Sequence, residues 1–139
     1  MYMRFPLPYL QRLINLLLYG PVIAEKFGLE YSRTHKKEDV IAHLRAGGVA
    51  IVMVGNSEEE GRLGLFTQRK HYMLLLSIDE KEEVCFLDPA FAKGEKYDVP
   101  EHRDKVRVEF PFLYAPLDLL MGESLNCKPR FSLFKRRVG

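Results

Sequence analysis

Cysteine is scarce in this chain, with two residues, Cys85 and Cys127, among 139. Two thiols cannot build the dense bridge framework of a small secreted domain. No Cys/His cluster has zinc-finger spacing, so neither a structural metal nor a metal cofactor is expected. Net charge is also small: 21 Lys and Arg stand against 19 Asp and Glu, and a formal charge of +2 supplies no footprint for nucleic acid. Long apolar runs are missing too. The longest near the start, residues 13–19, is interrupted by Asn15 and falls well short of the roughly 20 residues a membrane-spanning helix needs. The only early positive charges ahead of it are Arg4 and Arg12, and no Ala-x-Ala cleavage site follows, so secretion by this segment is not expected. These absences predict a cytoplasmic protein with no membrane and no nucleic-acid partner. No internal repeat, low-complexity tract or Gly/Ser-rich linker divides the chain.

What is present suits one globular domain over residues 1–139, because 47% hydrophobic and 29% charged residues allow an ordinary core. Pro6 and Pro8 can start a helix, and Leu10, Leu13, Ile14, Leu17 and Leu18 then recur at the spacing of one buried helical face. Gly20-Pro21 breaks or bends it. A second short helical piece over 22–27 stops at Gly28, a natural left-handed cap. Thr34 reads as the N-cap of a third helix, whose apolar positions Val40, Ile41 and Leu44 end at Gly47-Gly48. Up to that point the chain reads as helical.

The character changes at Val49, where residues 49–54 run apolar without alternation, as in a central strand covered on both faces. Residues 55–70, with Glu58, Glu59, Glu60, Gly61 and Gly64, read as an exposed loop. Residues 71–78 and 83–87 read as a hairpin joined by the polar turn 79–82 and ended by Asp88-Pro89. Further strands are expected at 105–110 and 130–134, while Phe110, Phe112 and Tyr114 read as packing residues. Helices first and an antiparallel sheet of about four to six strands afterwards give an α+β fold class, with the N-terminal helices packed on the sheet.

His71 opens one strand of the expected hairpin and Asp88 closes the other. In an antiparallel pair the start of one strand lies beside the end of the next, so both side chains can meet if they share a face. A carboxylate beside an imidazole fixes its tautomer and stabilises its charged form, which is the base-and-orienter half of a nucleophilic triad. The other reading of a strand-end histidine is a capping or surface residue. His35 and His43 in or near the third helix, and His102 in the turn 101–104, read as solvated. Three adjacent glutamates without further ligands read as a solvated loop, and the basic tail 135–137 is too short for a nucleic-acid claim.

The segments GLFTQRKHYMLLLSID (64–79) and VCFLDP (84–89) resemble the His strand and the Asp-Pro strand of papain-like cysteine peptidases of the bacteriocin leader-processing group. Upstream, IAEKFGL (23–29) and VIAHLRAGGVAIV (40–52) resemble the helices that lead into that family's central strand. Downstream, KYD (96–98) and RFSLFK (130–135) are also similar, so the resemblance spans roughly 19–135. It implies the sheet-bearing half of the papain-like fold, with His71 as general base and Asp88 as orienting carboxylate. It also implies a cysteine at the head of a long helix and a glutamine just before it, and no Gln-x-Cys-Gly-like segment precedes Tyr19. The family's glycine before the catalytic histidine is replaced by Lys70.

Neither cysteine of the chain is an obvious substitute. Cys85 lies three positions before Asp88 on one strand, an odd offset that places the two side chains on opposite faces and makes Cys85 a core residue. Cys127 lies in an expected loop where Lys128 and Arg130 can lower a thiol pKa, and a Cys85–Cys127 disulfide is left open by the sequence. The expectation is therefore an N-terminally truncated, inactive peptidase-like domain that uses no cofactor. The alternative is a non-catalytic module that binds a peptide or protein in the old cleft. A sheet face without its nucleophile helix needs another cover, either residues 13–19 or a second copy in a homodimer.

Overall fold

The computed structural model describes residues 20–55, 65–66, 70–89, 97, 104–124 and 130–137. The helix expected over 10–18, the acidic loop with Glu58, Glu59 and Glu60, His102 and Cys127 lie outside the described residues. Helix α1 (Gly20–Phe27) ends at Gly28, whose φ of +67° supplies the left-handed turn expected there. Strand β1 (Leu29–Thr34) follows at once and corrects the all-helical reading of this part. Leu29 and Tyr31 are half-buried while Glu30 and Ser32 are exposed, the period-two alternation of a half-buried strand.

Helix α2 (Lys37–Arg45) buries Val40 and Leu44, as the spacing predicts. Its N-cap is Lys36, with no side-chain capping bond, so the assignment of Thr34 is corrected. Thr34 is the last residue of β1, paired with Phe131, and from there its hydroxyl accepts the Lys36 N–H at 3.0 Å. The same hydroxyl donates to Asp39 in the first helical turn at 2.6 Å.

The remaining elements are β2 (Val49–Gly55), β3 (Lys70–Ile78), β4 (Glu83–Leu87), β5 (Arg107–Glu109), β6 (Phe112–Pro116), helix α3 (Leu117–Glu123) and β7 (Phe131–Arg136). The strands form one seven-stranded antiparallel sheet in the order β1-β7-β2-β3-β4-β6-β5, which makes the protein mixed α+β. The strand count exceeds the expected four to six because β1 and β6 were not anticipated. Helix α3 was not anticipated either. Phe110 and Phe112 flank the turn between β5 and β6 and are 46% and 41% exposed, which corrects their reading as packing residues. No helix among the described residues is long and apolar enough to cross a membrane.

Both faces of the sheet's centre are apolar, which explains the unbroken hydrophobic run of β2. Ala50, Val52 and Val54 of β2, Met73 and Leu75 of β3, Val84 and Phe86 of β4, and Phe131 and Leu133 of β7 pack with Val40 and Leu44 of α2 and Leu117 and Leu120 of α3. The alternate residues Ile51, Leu74 and Phe134 form a second cluster on the other face, joined by Leu29, Tyr31 and Leu87. A slip of one residue in any of these strands would exchange the two sets, so the register is strongly specified.

Short polar anchors fix the elements around that register. In the turn between β3 and β4, Asp79 Oδ1 accepts the N–H groups of Lys81 and Glu83 at 2.9 and 2.8 Å. Glu82 takes a left-handed φ of +64° in the same turn. Lys37 bridges Glu82 of this turn and Asp118 of α3, both at 2.8 Å, and its hydrogen bond with Asp118, then that with Glu82, hold its ammonium above the usual lysine range. His43 is not solvated as expected. Its Nε2 lies 2.9 Å from the carbonyl oxygens of both Val49 and Phe134, a cross-strand pair, and so pins α2 to β2 and β7. His35 is exposed, as expected.

Candidate active site

Strand β3 carries His71 into the helix-covered face of the sheet by simple alternation. His71 shares parity with Met73 and Leu75, both buried in the larger cluster, and pairs across β2 with Val54 of the same cluster. Asp88 follows the last residue of β4 and shares parity with Val84 and Phe86. The ladder pairs Leu74 with Leu87, so its continuation sets Asp88 beside Met73, two positions from His71 on one face. Diagonal neighbours of this kind are about 7–8 Å apart at Cα, within reach of an imidazole and a carboxylate.

The two side chains meet there. His71 Nε2 lies 2.6 Å from Asp88 Oδ1, and Asp88 is 2% exposed. The second carboxylate oxygen, Oδ2, accepts the hydroxyl of Tyr97. Tyr97 is buried beside Phe66, with ring centroids 6.2 Å apart, and Phe66 stands edge-on to Phe86 at 5.8 Å. Phe66 is held in turn from α3, where Glu123 Oε1 accepts the Leu65 N–H at 2.8 Å. Burial first, then the Asp88 charge and the hydrogen bond to it, push the Tyr97 phenol above the usual tyrosine range, so this hydroxyl stays protonated and donates.

A buried carboxylate with a donor on each oxygen is an acceptor, which assigns the hydrogen of His71 to Nε2. The neutral ring then presents Nδ1 as its basic nitrogen, and among the described residues no hydrogen bond to that nitrogen is found. The His71 side chain is 14% exposed, enough to be reached from one side. The arrangement can accept a proton at Nδ1 and stabilise the resulting imidazolium through Asp88, which is what a general base requires. Among the described residues no group of three His, Cys, Asp or Glu side chains could hold a metal ion.

No protein-family model, no curated protein and no solved structure matches the chain. The site therefore rests on its own geometry.

The cysteines divide. Cys85 is on the face opposite Asp88, as its odd offset requires, but it is half-buried rather than a core residue. It is a free thiol opposite Ser77 and Tyr114 in the ladder. Burial pushes its pKa up, against smaller lowering effects of hydrogen bonds with Tyr114 and Ser77. A raised thiol on the far side of the sheet is not the partner of His71. Tyr97 is the site residue that the sequence reading did not assign. It lies within the KYD segment of the resemblance, but no spacing rule ties a tyrosine nine positions downstream to the carboxylate, and only the folded return of the chain brings them together.

Proposed function

We propose that the chain is a papain-like cysteine-peptidase-type domain of the bacteriocin leader-processing kind, with His71 as general base and Asp88 as the carboxylate that orients it. The observation that carries this reading is the 2.6 Å bond from His71 Nε2 to a buried Asp88, formed by the two residues singled out by the resemblance. In thiol chemistry Nδ1 of His71 takes the proton from a cysteine, and the thiolate attacks the scissile carbonyl. The imidazolium returns that proton to the departing amine, leaving a thioester. Water, activated by the same nitrogen, then hydrolyses the thioester and frees the thiol. The nucleophile and an oxyanion donor would belong to a Gln-x-Cys-Gly-like segment, which these 139 residues do not contain ahead of Tyr19.

That same feature favours a second reading, a non-catalytic module that holds a peptide or protein beside His71. One experiment separates the readings. The purified 139-residue chain is expected to cleave no peptide under reducing conditions, because it lacks the nucleophile. The oriented imidazole should nonetheless release p-nitrophenolate from p-nitrophenyl acetate, at a rate cut about tenfold or more in His71→Ala. Ester cleavage indifferent to His71→Ala removes the base reading and leaves the binder. Thiol-dependent peptide turnover that vanishes in His71→Ala would show that another cysteine completes the enzyme.

A further inference from the structure

We propose that two copies of this chain associate edge to edge through β5, forming one continuous antiparallel sheet about a two-fold axis at Val108. The inference stands apart from the His71 site and does not depend on the reading given to it.

Strand β5 ends the sheet, and its residues Arg107, Val108 and Glu109 are all exposed. It pairs on one side, with β6, through Arg107–Tyr114, Val108–Leu113 and Glu109–Phe112. Pro111 in the turn has no N–H, so Glu109 and Phe112 must themselves be the pair that exchanges both hydrogen bonds. Alternation then turns the N–H and C=O of Val108 away from β6, and among the described residues they have no hydrogen-bond partner. An open edge of this kind is a template for another strand unless a proline, a bulge or a lysine blunts it, and β5 itself carries none of these. The edge is apolar as well. Of the four large hydrophobic side chains exposed among the described residues, Val108, Phe110 and Phe112 fall within this short stretch.

The charges of the strand select a second copy as the occupant. A two-fold axis normal to the sheet keeps each residue on its own face, so residues set opposite each other must share parity. Centred on Val108, the axis sets that residue opposite Val108 of the partner subunit, with reciprocal N–H···O=C bonds. Arg107 then stands opposite the partner's Glu109, and Glu109 opposite the partner's Arg107, in the close non-hydrogen-bonded positions of the ladder. One register thus makes both ion pairs. Arg107 holds Glu83 at 2.6 Å and its own Glu109 at 2.5 Å, and its side chain is 50% exposed, so one guanidinium nitrogen can turn to the partner while Glu83 is kept. The other edge of the sheet, β1, fails the same condition: Glu30 and Arg33 differ in parity, and no two-fold register opposes them. The assembled sheet has seven strands from each copy, with the helix-covered faces and their His71 sites on the same side.

The test is sedimentation of the whole 139-residue chain from about 5 μM to about 1 mM. A contact of one short strand belongs to the small, transient class of interfaces, so the mass should rise from monomer toward dimer within that range and go no further. A monomer throughout, which would leave the edge to a different protein, overturns the proposal, as do species that grow past a dimer. Glu109→Arg and Arg107→Glu each set like charges opposite one another and should weaken association at least about tenfold. An equimolar mixture of these two variants restores both oppositions and should associate to within about threefold of wild type, whereas a mixture that stays monomeric overturns the register. Val108→Pro removes the outward N–H without taking a bond from β6 and should leave a folded monomer. Dimerisation unchanged in Val108→Pro or in Glu109→Arg places the contact elsewhere and overturns the proposal. If the variants do not fold, the wild-type Val108 amide decides: exchange that slows at least about threefold from the dilute to the concentrated sample supports the proposal, and exchange independent of concentration overturns it.

Discussion

Glycine 48 is expected to be irreplaceable because of His43. A Cβ built on Gly48 would lie 2.3 Å from His43 Nε2, 2.6 Å from Cε1 and 2.7 Å from Cδ2. These are contacts with a ring rooted in α2, whose Nε2 is 2.9 Å from the carbonyls of Val49 and Phe134. In Gly48→Ala the ring must leave that position. The shared ring N–H bond is worth about 0.5–1.5 kcal/mol, and forced repacking of a tight site costs about 1–3 kcal/mol, so the substitution should destabilise by about 2–4 kcal/mol. Gly48 does not occupy the left-handed region, unlike its neighbour Gly47 at φ +87°. Without the histidine ring, therefore, alanine should be tolerated or should even stabilise by about 0.4–1 kcal/mol through the unfolded chain. The measurement is a double-mutant cycle of Gly48→Ala and His43→Ala by urea unfolding, with the m-values compared. A coupling of about 2–4 kcal/mol is expected, Gly48→Ala being costly alone and nearly free in the His43→Ala background. A Gly48→Ala protein within about 0.5 kcal/mol of wild type, or an equal cost in both backgrounds, would refute the account of how α2 is pinned to the sheet.

Asp88→Ala removes the acceptor of two buried donors and should cost about 3–5 kcal/mol by the same unfolding assay. The near-isosteric Asp88→Asn should cost about 1–2 kcal/mol, and equal costs would show that the carboxylate is not paired as described. Because the folded protein holds the Tyr97 phenol above its ordinary value of 10.0, this group's stabilisation is complete below about pH 10. It is lost as pH rises further, at about 1.4 kcal/mol per unit, since the unfolded chain sheds the proton first. Tyr97→Phe should lack that component, and parallel wild-type and mutant stability curves from pH 9 to 11.5 would contradict it. Cys85, half-buried with its thiol raised above the usual 9.0, should react with iodoacetamide at pH 8 at least roughly tenfold more slowly than an unstructured cysteine peptide. Peptide mapping that finds equal rates would count against its placement.

The hairpin was the most legible part of the fold because its signals are local. Residues 71–78 and 83–87 are apolar strands around a turn whose Asp79 is a good side-chain acceptor, and the structure closes that turn through Asp79. The run at β2 was legible for a different reason: only a strand between two apolar layers can carry five buried residues in succession. Strand β1 was hidden by its neighbours. Its six residues lie between two helices and draw their pairing from β7, a partner about a hundred positions away that no local pattern reveals. Strand β6 was hidden by its flanking prolines, and α3 by having little more than a turn of apolar spacing. At the site, alternation and hairpin geometry were enough to bring His71 and Asp88 together. They were not enough for Tyr97, which reaches Asp88 from outside any strand, or for His43, whose polar ring is satisfied by backbone carbonyls of two strands that the sequence does not show to be adjacent.

All three members of the site fall between positions 71 and 97, whereas the far flank of the sheet joins Leu29 to Arg136. Closing the short loops among these three residues costs little chain entropy, and that cost is nearly independent of what the distant ends of the polypeptide are doing. The pairing of base and carboxylate is thus made within one contiguous stretch, while the layers that bury it are lent by α2, α3 and the strands on either side.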